Sequence, residues 1–334
     1  MNLGFGKQFS THMAVARYGG GAWSPVELVP FGDITLSPAA MVLHYGQAIF
    51  EGLKAYRQPD GSVALFRPDD NATRFDASAR RLAMPELPAG VFARACADLV
   101  RADLDEVPQR TGETLYLRPM MFASEAALGV RPADEYTFMV IASPVGAYFG
   151  EAVRPISVWA DPSLVRAAPG GTGAAKCSGN YAASLIAKRE ATSRGCDEAL
   201  WLDSREHRYV EELGGMNFMA VAGDTIVTPP LSDTILDGVT RRSLLSLARD
   251  LGYRTDERAV ALDELTSGGF DEAFACGTAA VVAPIGGVRA AEGAWTIGDG
   301  EPGAITLQLR DALVAIQEGR AADHHSWRCA IADR

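Results

Sequence analysis

Apolar positions along the chain fall into two rhythms. Short alternating or continuous apolar runs, bounded by Gly, Pro and Asp, predict strands over 41–44, 62–66, 114–118, 137–143, 156–160, 198–203 and 218–222. Longer segments with apolar residues three and four apart predict helices over 72–82, 91–104, 180–194, 239–251 and 305–318. The two kinds mix throughout, which makes the fold class α/β or α+β and leaves the sheet topology open. One strongly apolar strand runs out into Pro144-Val-Gly-Ala-Tyr-Phe-Gly150, and a fresh strand begins just after Pro155. A length of 334 residues suits two domains. We therefore expect a smaller N-terminal domain over 1–146, an interdomain linker over 147–155 and a larger C-terminal domain over 156–334. Neither an internal repeat nor a low-complexity segment is visible, but glycine concentrates at 19–21 and within 169–173.

Composition narrows the class of function. Hydrophobic residues make up 48% of the chain and charged residues 22%, so a core can form and the signature of disorder is missing. A formal net charge of -11, with no local Lys/Arg cluster to offset it, disfavours nucleic acid and anionic membranes as partners. The N-terminus lacks the basic start and apolar core of a secretory signal. No uncharged stretch reaches the ~20 uninterrupted apolar residues that span a bilayer. Cys96, Cys177, Cys196, Cys276 and Cys329 are odd in number, widely spaced and without any Cys-x-x-Cys. That argues against a disulfide framework or zinc knuckle and fits a reducing cytoplasm. His324 and His325 have no nearby Cys and no helical i, i+4 partner, so we expect them to be solvated and expect no metal site.

One lysine stands apart. Of 31 basic residues only Lys7, Lys54, Lys176 and Lys188 are lysines. Between Ala167 and Ala187, Lys176 is the only Asp, Glu, Lys or Arg, and it follows the run Gly170-Gly-Thr-Gly-Ala-Ala. A P-loop would need Gly before the lysine and Ser or Thr after it, where Ala175 and Cys177 stand. A dinucleotide fingerprint would need a third glycine after Gly171-Thr-Gly173, and none follows at that spacing. Two readings stay open: a solvated loop lysine, or an amine desolvated among small neighbours and used as a nucleophile. A Schiff-base cofactor such as pyridoxal phosphate would make further demands. It needs an acid facing its ring nitrogen, a hydroxyl near its phenolic oxygen, and N–H donors or an arginine for its phosphate.

Eight segments in order supply those groups. They are Phe5-Gly-Lys-Gln-Phe-Ser-Thr-His-Met13, Leu43-His-Tyr-Gly-Gln-Ala-Ile-Phe-Glu-Gly-Leu-Lys-Ala-Tyr56, Leu115-Tyr-Leu-Arg-Pro119, Gly146-Ala-Tyr-Phe149, Lys176-Cys-Ser-Gly-Asn-Tyr181, Glu212-Leu-Gly-Gly-Met-Asn217, Gly238-Val-Thr-Arg241 and Cys276-Gly-Thr-Ala-Ala280. Together they resemble the branched-chain aminotransferases of the fold-type IV pyridoxal phosphate enzymes, over nearly the whole chain. The resemblance implies two mixed α/β domains with pyridoxal 5'-phosphate at their interface. It further implies a homodimer exchanging amino groups between leucine, isoleucine or valine and 2-oxoglutarate.

By the same resemblance, Lys176 is the Schiff-base lysine and proton shuttle, Tyr181 the partner of the phenolic oxygen and Glu212 the partner of the ring nitrogen. Glu211 is the confusable neighbour, but Glu212 has the family's spacing to Asn217. Arg74, Val239, Thr240 and Thr278 would bind phosphate. Tyr45, Phe50, Tyr116 and Tyr148 would surround the substrate side chain, with Leu128 and Val130 reaching in from the other protomer. Arg118 would meet the distal carboxylate of glutamate, and N–H groups near Thr278 and Ala279 the α-carboxylate. Four positions depart from the pattern. Ala280 and Ala283 stand where animal enzymes carry a Cys-x-x-Cys pair, so no thiol switch is expected. Ser178 replaces a common glycine, and Asp237 a common proline. Competing readings are a D-amino-acid aminotransferase, an aminodeoxychorismate lyase and, from another class, a non-catalytic small-molecule binding protein.

Overall fold

The computed structural model describes residues 4–146 and 153–331, which form two units. One holds residues 4–146, 175–179 and 316–331; the other holds 153–174 and 180–315. This differs from the contiguous division expected from sequence in two places. The segment carrying Lys176 joins the first unit because Cys177 forms a β-bridge with Ile49. The C-terminal tail joins it because Arg328–Ala330 pairs antiparallel with Val63–Phe66.

In the first unit nine strands make one sheet. Its order is Arg328–Ala330, Val63–Phe66, Leu53–Arg57, Thr114–Ala123, Tyr136–Val145, His12–Gly19 and Ala22–Trp23. Two more strands lie off that path: Ala48–Phe50 pairs with Thr114–Ala123, and Glu27–Pro30 with His12–Gly19. The longest ladder, from Thr114↔Val145 to Ala123↔Tyr136, is antiparallel throughout. Because successive strand residues face opposite ways, His12–Gly19 serves two apolar clusters. Ala14 and Ala16 pack with Phe75, Ala79, Phe92 and Leu99, while Met13 and Val15 pack with Phe122 and Met139. Helix Pro68–Arg81 opens with Pro at its first position and Asp69 and Asp70 in its first turn, and ends with Arg80 and Arg81. That charge order suits the helix dipole.

Several expected boundaries change. Residues 41–44, expected to be extended, lie in the helix Met41–Tyr45, which ends at Gly46 in the left-handed conformation (φ 63°). A four-residue apolar run carries too little periodicity to separate a strand from one helical turn. The helix expected over 91–104 stops at Ala102 and is followed by a 3-10 turn, Leu104–Glu106. The strand expected over 114–118 runs on to Ala123.

In the second unit, Val210–Leu213 pairs with both Glu198–Leu202 and Met216–Ala222. The path Val210–Leu213, Glu198–Leu202, Ile156–Ala160, Val281–Ala290, Glu272–Gly277 and Met216–Ala222 therefore closes on itself as a ring of mixed parallel and antiparallel strands. Its interior holds Val158, Leu200, Leu213, Phe218, Ala275 and Ala283. The apolar face of helix Ser178–Ser193 packs through Ala187 and Ala191 on Trp159 and Trp201. Among the described residues, no helix is long and apolar enough to cross a membrane.

Candidate active site

In the first unit the backbone of Lys176 is held on both sides. Its N–H donates to Ser78 Oγ at 2.9 Å, and its carbonyl accepts the Phe50 N–H at 3.0 Å. Ser78 Oγ in turn donates to the Arg74 carbonyl at 2.9 Å, so helix Pro68–Arg81 anchors the lysine. Lys176 Nζ stands 5.1 Å from the centroid of the Phe50 ring, and the guanidinium carbon of Arg118 stands 4.7 Å from the same centroid. Arg118 Nη2 donates to the Tyr116 hydroxyl at 3.1 Å. Lys176, Phe50, Arg118 and Tyr116 are thus brought together as one cluster. Strand pairing explains it: Phe50 lies opposite Met120 on the strand Thr114–Ala123 that carries Tyr116 and Arg118 two residues apart on one face.

The other first-unit residues sit around this cluster in different ways. Arg74 is buried, and its Nε and Nη2 donate to Glu51 Oε1 and Oε2 at 2.7 and 2.8 Å. Glu51 is fully buried, so this fork fixes the plane of the guanidinium. The Tyr45 hydroxyl donates to the Leu128 carbonyl at 2.5 Å. Leu128 and Val130 are 66% and 87% exposed, so neither belongs to the core of its own unit. Tyr148 lies outside the described residues.

In the second unit Glu212 is 2% exposed and sits opposite Asn217 on paired strands. Its Oε1 accepts the Leu236 N–H at 2.5 Å and Asn217 Nδ2 at 3.3 Å, and its Oε2 faces Arg166 Nε at 3.2 Å. Asn217 also donates to the Leu236 carbonyl at 2.9 Å. Helix Val239–Asp250 starts after Gly238 with no side-chain cap. A Cβ at 238 would fall 1.9 Å from Asn217 Oδ1, so only glycine lets the helix start lie against the Glu212 network. Tyr181 lies in the first turn of Ser178–Ser193 with its ring against Gly215, in the turn between the two strands bearing Glu212 and Asn217. Thr278 and Ala279 occupy the turn joining Glu272–Gly277 to Val281–Ala290. That turn closes at Val281 with φ 62°, a costly conformation for a β-branched residue.

The two adjacent glutamates separate by chemistry. Alternation along the strand sends Glu211 and Glu212 to opposite faces. Glu211 Oε1 accepts the Thr234 hydroxyl at 2.5 Å, its Oε2 has no hydrogen-bond partner, and burial pushes its carboxyl above the usual range. Glu212, by contrast, is met by two N–H donors and a guanidinium. Sequence reasoning missed Ser78, Glu51 and Arg166. Ser78 carried a signal, four residues after Arg74 in Thr-Arg-Phe-Asp-Ala-Ser, and Arg166 another, as the one charge among Ser163-Leu-Val and Ala-Ala-Pro169.

The comparisons agree on one family. The model for class IV amino-transferases matches residues 48–288. The chain is 54% identical to the probable branched-chain-amino-acid aminotransferase of Streptomyces coelicolor, across 99% of this chain and 93% of that one. It is 52% identical to the branched-chain-amino-acid aminotransferase of Mycolicibacterium smegmatis, across 99% and 92%. Among solved structures it resembles the Escherichia coli branched-chain amino acid aminotransferase, with a TM-score of 0.81 and 27% identity over 97% of this chain and 100% of that one. The Thermobaculum terrenum branched-chain amino acid aminotransferase, solved in its PLP-form, matches with a TM-score of 0.80 and 25% identity over 98% and 100%. This chain belongs to the class IV aminotransferases and, within them, to the branched-chain-amino-acid aminotransferases.

Proposed function

We propose that the protein moves amino groups reversibly between L-leucine, L-isoleucine or L-valine and 2-oxoglutarate, by a ping-pong cycle with pyridoxal 5'-phosphate. When bound, that cofactor supplies an aldehyde for the substrate amine and a ring that accepts electrons from the broken Cα–H bond. The donor set present suits it. Glu212 is a buried carboxylate held by fixed donors, fit to face a protonated ring nitrogen. The uncapped start of helix Val239–Asp250 offers backbone N–H groups to a phosphate dianion, to which Arg74 and Thr278 contribute.

Lys176 Nζ carries the cofactor and moves the proton taken from the substrate Cα. The Tyr181 hydroxyl binds the phenolic oxygen. The Phe50 ring, with Tyr45, Tyr116 and Tyr148, excludes water from the substrate side chain, whose burial is worth about 1.5–3 kcal/mol. The N–H groups near Thr278 and Ala279 take the α-carboxylate. Arg118 takes the distal carboxylate of glutamate in the second half-reaction.

The observation that carries this reading is the placement of an amine and a guanidinium about one apolar ring, Lys176 and Arg118 at Phe50. One apolar site can then accept both a branched side chain and, through the guanidinium, a dicarboxylate. The exposure of Leu128 and Val130 supports a homodimer in which they reach the partner's site. The five free cysteines support a reducing cytoplasm.

The test combines spectrum and turnover. The purified protein should show visible-range cofactor absorbance that changes on adding L-leucine, and Lys176→Ala should lose both that band and multiple turnover. Assays with L-leucine, D-alanine and aminodeoxychorismate should give turnover with L-leucine. Turnover with D-alanine alone would remove the reading.

A further inference from the structure

One buried side chain in the second unit, absent from the site read off the sequence, joins its pieces. Arg166 is 9% exposed and lies between strand Ile156–Ala160 and the glycine-rich loop. Its Nη2 donates to the carbonyls of Gly173 and Thr234 at 2.9 and 2.7 Å, while its Nε faces Glu212 Oε2 at 3.2 Å. The segments it grips are themselves stapled. The Ala174 N–H donates to the Asp233 carbonyl at 2.9 Å and the Gly170 N–H to Asp233 Oδ2 at 2.5 Å. Two residues past Thr234, the Leu236 N–H meets Glu212 Oε1. Gly173 lies so close to this segment that an added Cβ would stand 2.5 Å from Thr234 Cα.

A guanidinium is a rigid planar fork with five donors, so a single side chain can hold a carboxylate and two carbonyls in a fixed relation. A flexible ammonium holds one point. Arg166 hydrogen-bonds the loop that runs in the chain into Lys176 and the segment that runs into helix Val239–Asp250, while its Nε, without a hydrogen-bond partner, meets the acid as an ion pair. We propose that Arg166 is a positioning residue for amino transfer: it sets the Glu212 carboxylate for the ring nitrogen and, in the same grip, fixes the loop preceding Lys176. The proposal rests on the assignment of Glu212 made above.

The experiment compares Arg166→Met, Arg166→Lys, Glu212→Gln and the double variant Arg166→Met/Glu212→Gln. Each is measured for kcat and KM with L-leucine, for the dissociation constant of pyridoxal phosphate from apoprotein, and for thermal unfolding of apoprotein. Arg166→Met should lower kcat about 10²-fold, the size expected when a reacting group is misplaced, and leave the leucine KM within about twofold. It should also weaken cofactor binding about tenfold, by analogy with the loss of the groups that orient a cofactor's ligands. In the Glu212→Gln background the same change should cost less than about threefold, since the two residues act as a unit.

Should Arg166→Met fail to fold, Arg166→Lys decides. A kcat lowered about tenfold with unchanged apoprotein unfolding supports the proposal, and an unchanged kcat overturns it. Wild-type kcat in Arg166→Met, or multiplicative losses in the double variant, also overturns it while leaving Glu212 in place. Wild-type kcat and cofactor affinity in Glu212→Gln would instead remove the ring-nitrogen assignment, and this proposal with it.

Discussion

A buried or loop-closing acid in this protein is defined by the donors aimed at it. Glu51 takes the fork of Arg74, Glu212 takes two N–H groups and faces Arg166, and Glu211 has only a hydroxyl. Asp203 shows the same rule outside the site. Burial alone would raise its pKa, but the N–H groups of Arg205, Glu206, Arg208 and Tyr209 donate to its two oxygens and hold it at about 2. It thereby closes the loop leading to the strand of Glu211 and Glu212. A carboxyl whose folded pKa lies below its unfolded value adds stability at pH above the unfolded value and loses it as pH falls through the folded one. Asp203→Asn should therefore cost about 1 kcal/mol at neutral pH, after allowance for solvent screening. That gap should narrow as pH falls from about 4 towards 2. Urea unfolding of both proteins across that range is the check, and a gap independent of pH would refute the assignment.

Between elements, close backbone contacts matter as much as side chains. Gly173 presses on the segment before helix Val239–Asp250: a Cβ there would stand 2.5 Å from Thr234 Cα and 2.7 Å from Ala167 Cβ. Neither neighbour is the end of a flexible side chain, so Gly173→Ala must displace the loop that leads to Lys176. We expect kcat to fall about 10²-fold and stability by about 1–3 kcal/mol. Gly32→Ala, whose Cβ would meet nothing within 4 Å, should leave both unchanged. Wild-type kcat in Gly173→Ala would show that the loop's position does not matter to the reaction. The helices were legible because amphipathic periodicity extends over many residues: 239–251 against Val239–Asp250, 305–318 against Ala304–Gln317. Strands were legible only where apolar residues dominate. Val210–Leu213 escaped because two of its four residues are the buried glutamates Glu211 and Glu212, whose charge breaks the pattern that marks a core strand. Arg254–Glu257 escaped for the opposite reason, being an edge strand with no core-facing run.

At the scale of the chain, the division into units follows pairings between segments far apart in sequence. Hydrophobic periodicity is a local signal, whereas membership of a unit depends on distant pairings such as Ile49 with Cys177 and Leu65 with Cys329. Assembly is equally non-local. Leu43, Tyr45, Leu128 and Val130 are all exposed large apolar residues of the first unit, and the Tyr45 hydroxyl ties two of them together. Exposed apolar residues gathered in this way suit a covering partner. Val130 is the sharpest probe, because at 87% exposure it adds almost nothing to the folding of its own unit. Val130→Asp should leave the unfolding of isolated chains unchanged. Where a second copy covers the residue, the buried charge should weaken the dimer or raise the leucine KM about 10-fold or more, since a desolvated carboxylate costs several kcal/mol. Light scattering and steady-state kinetics read the two effects separately. Wild-type mass and wild-type KM in Val130→Asp would mean that this side chain stays in water in the working enzyme, and that the substrate pocket is completed without it.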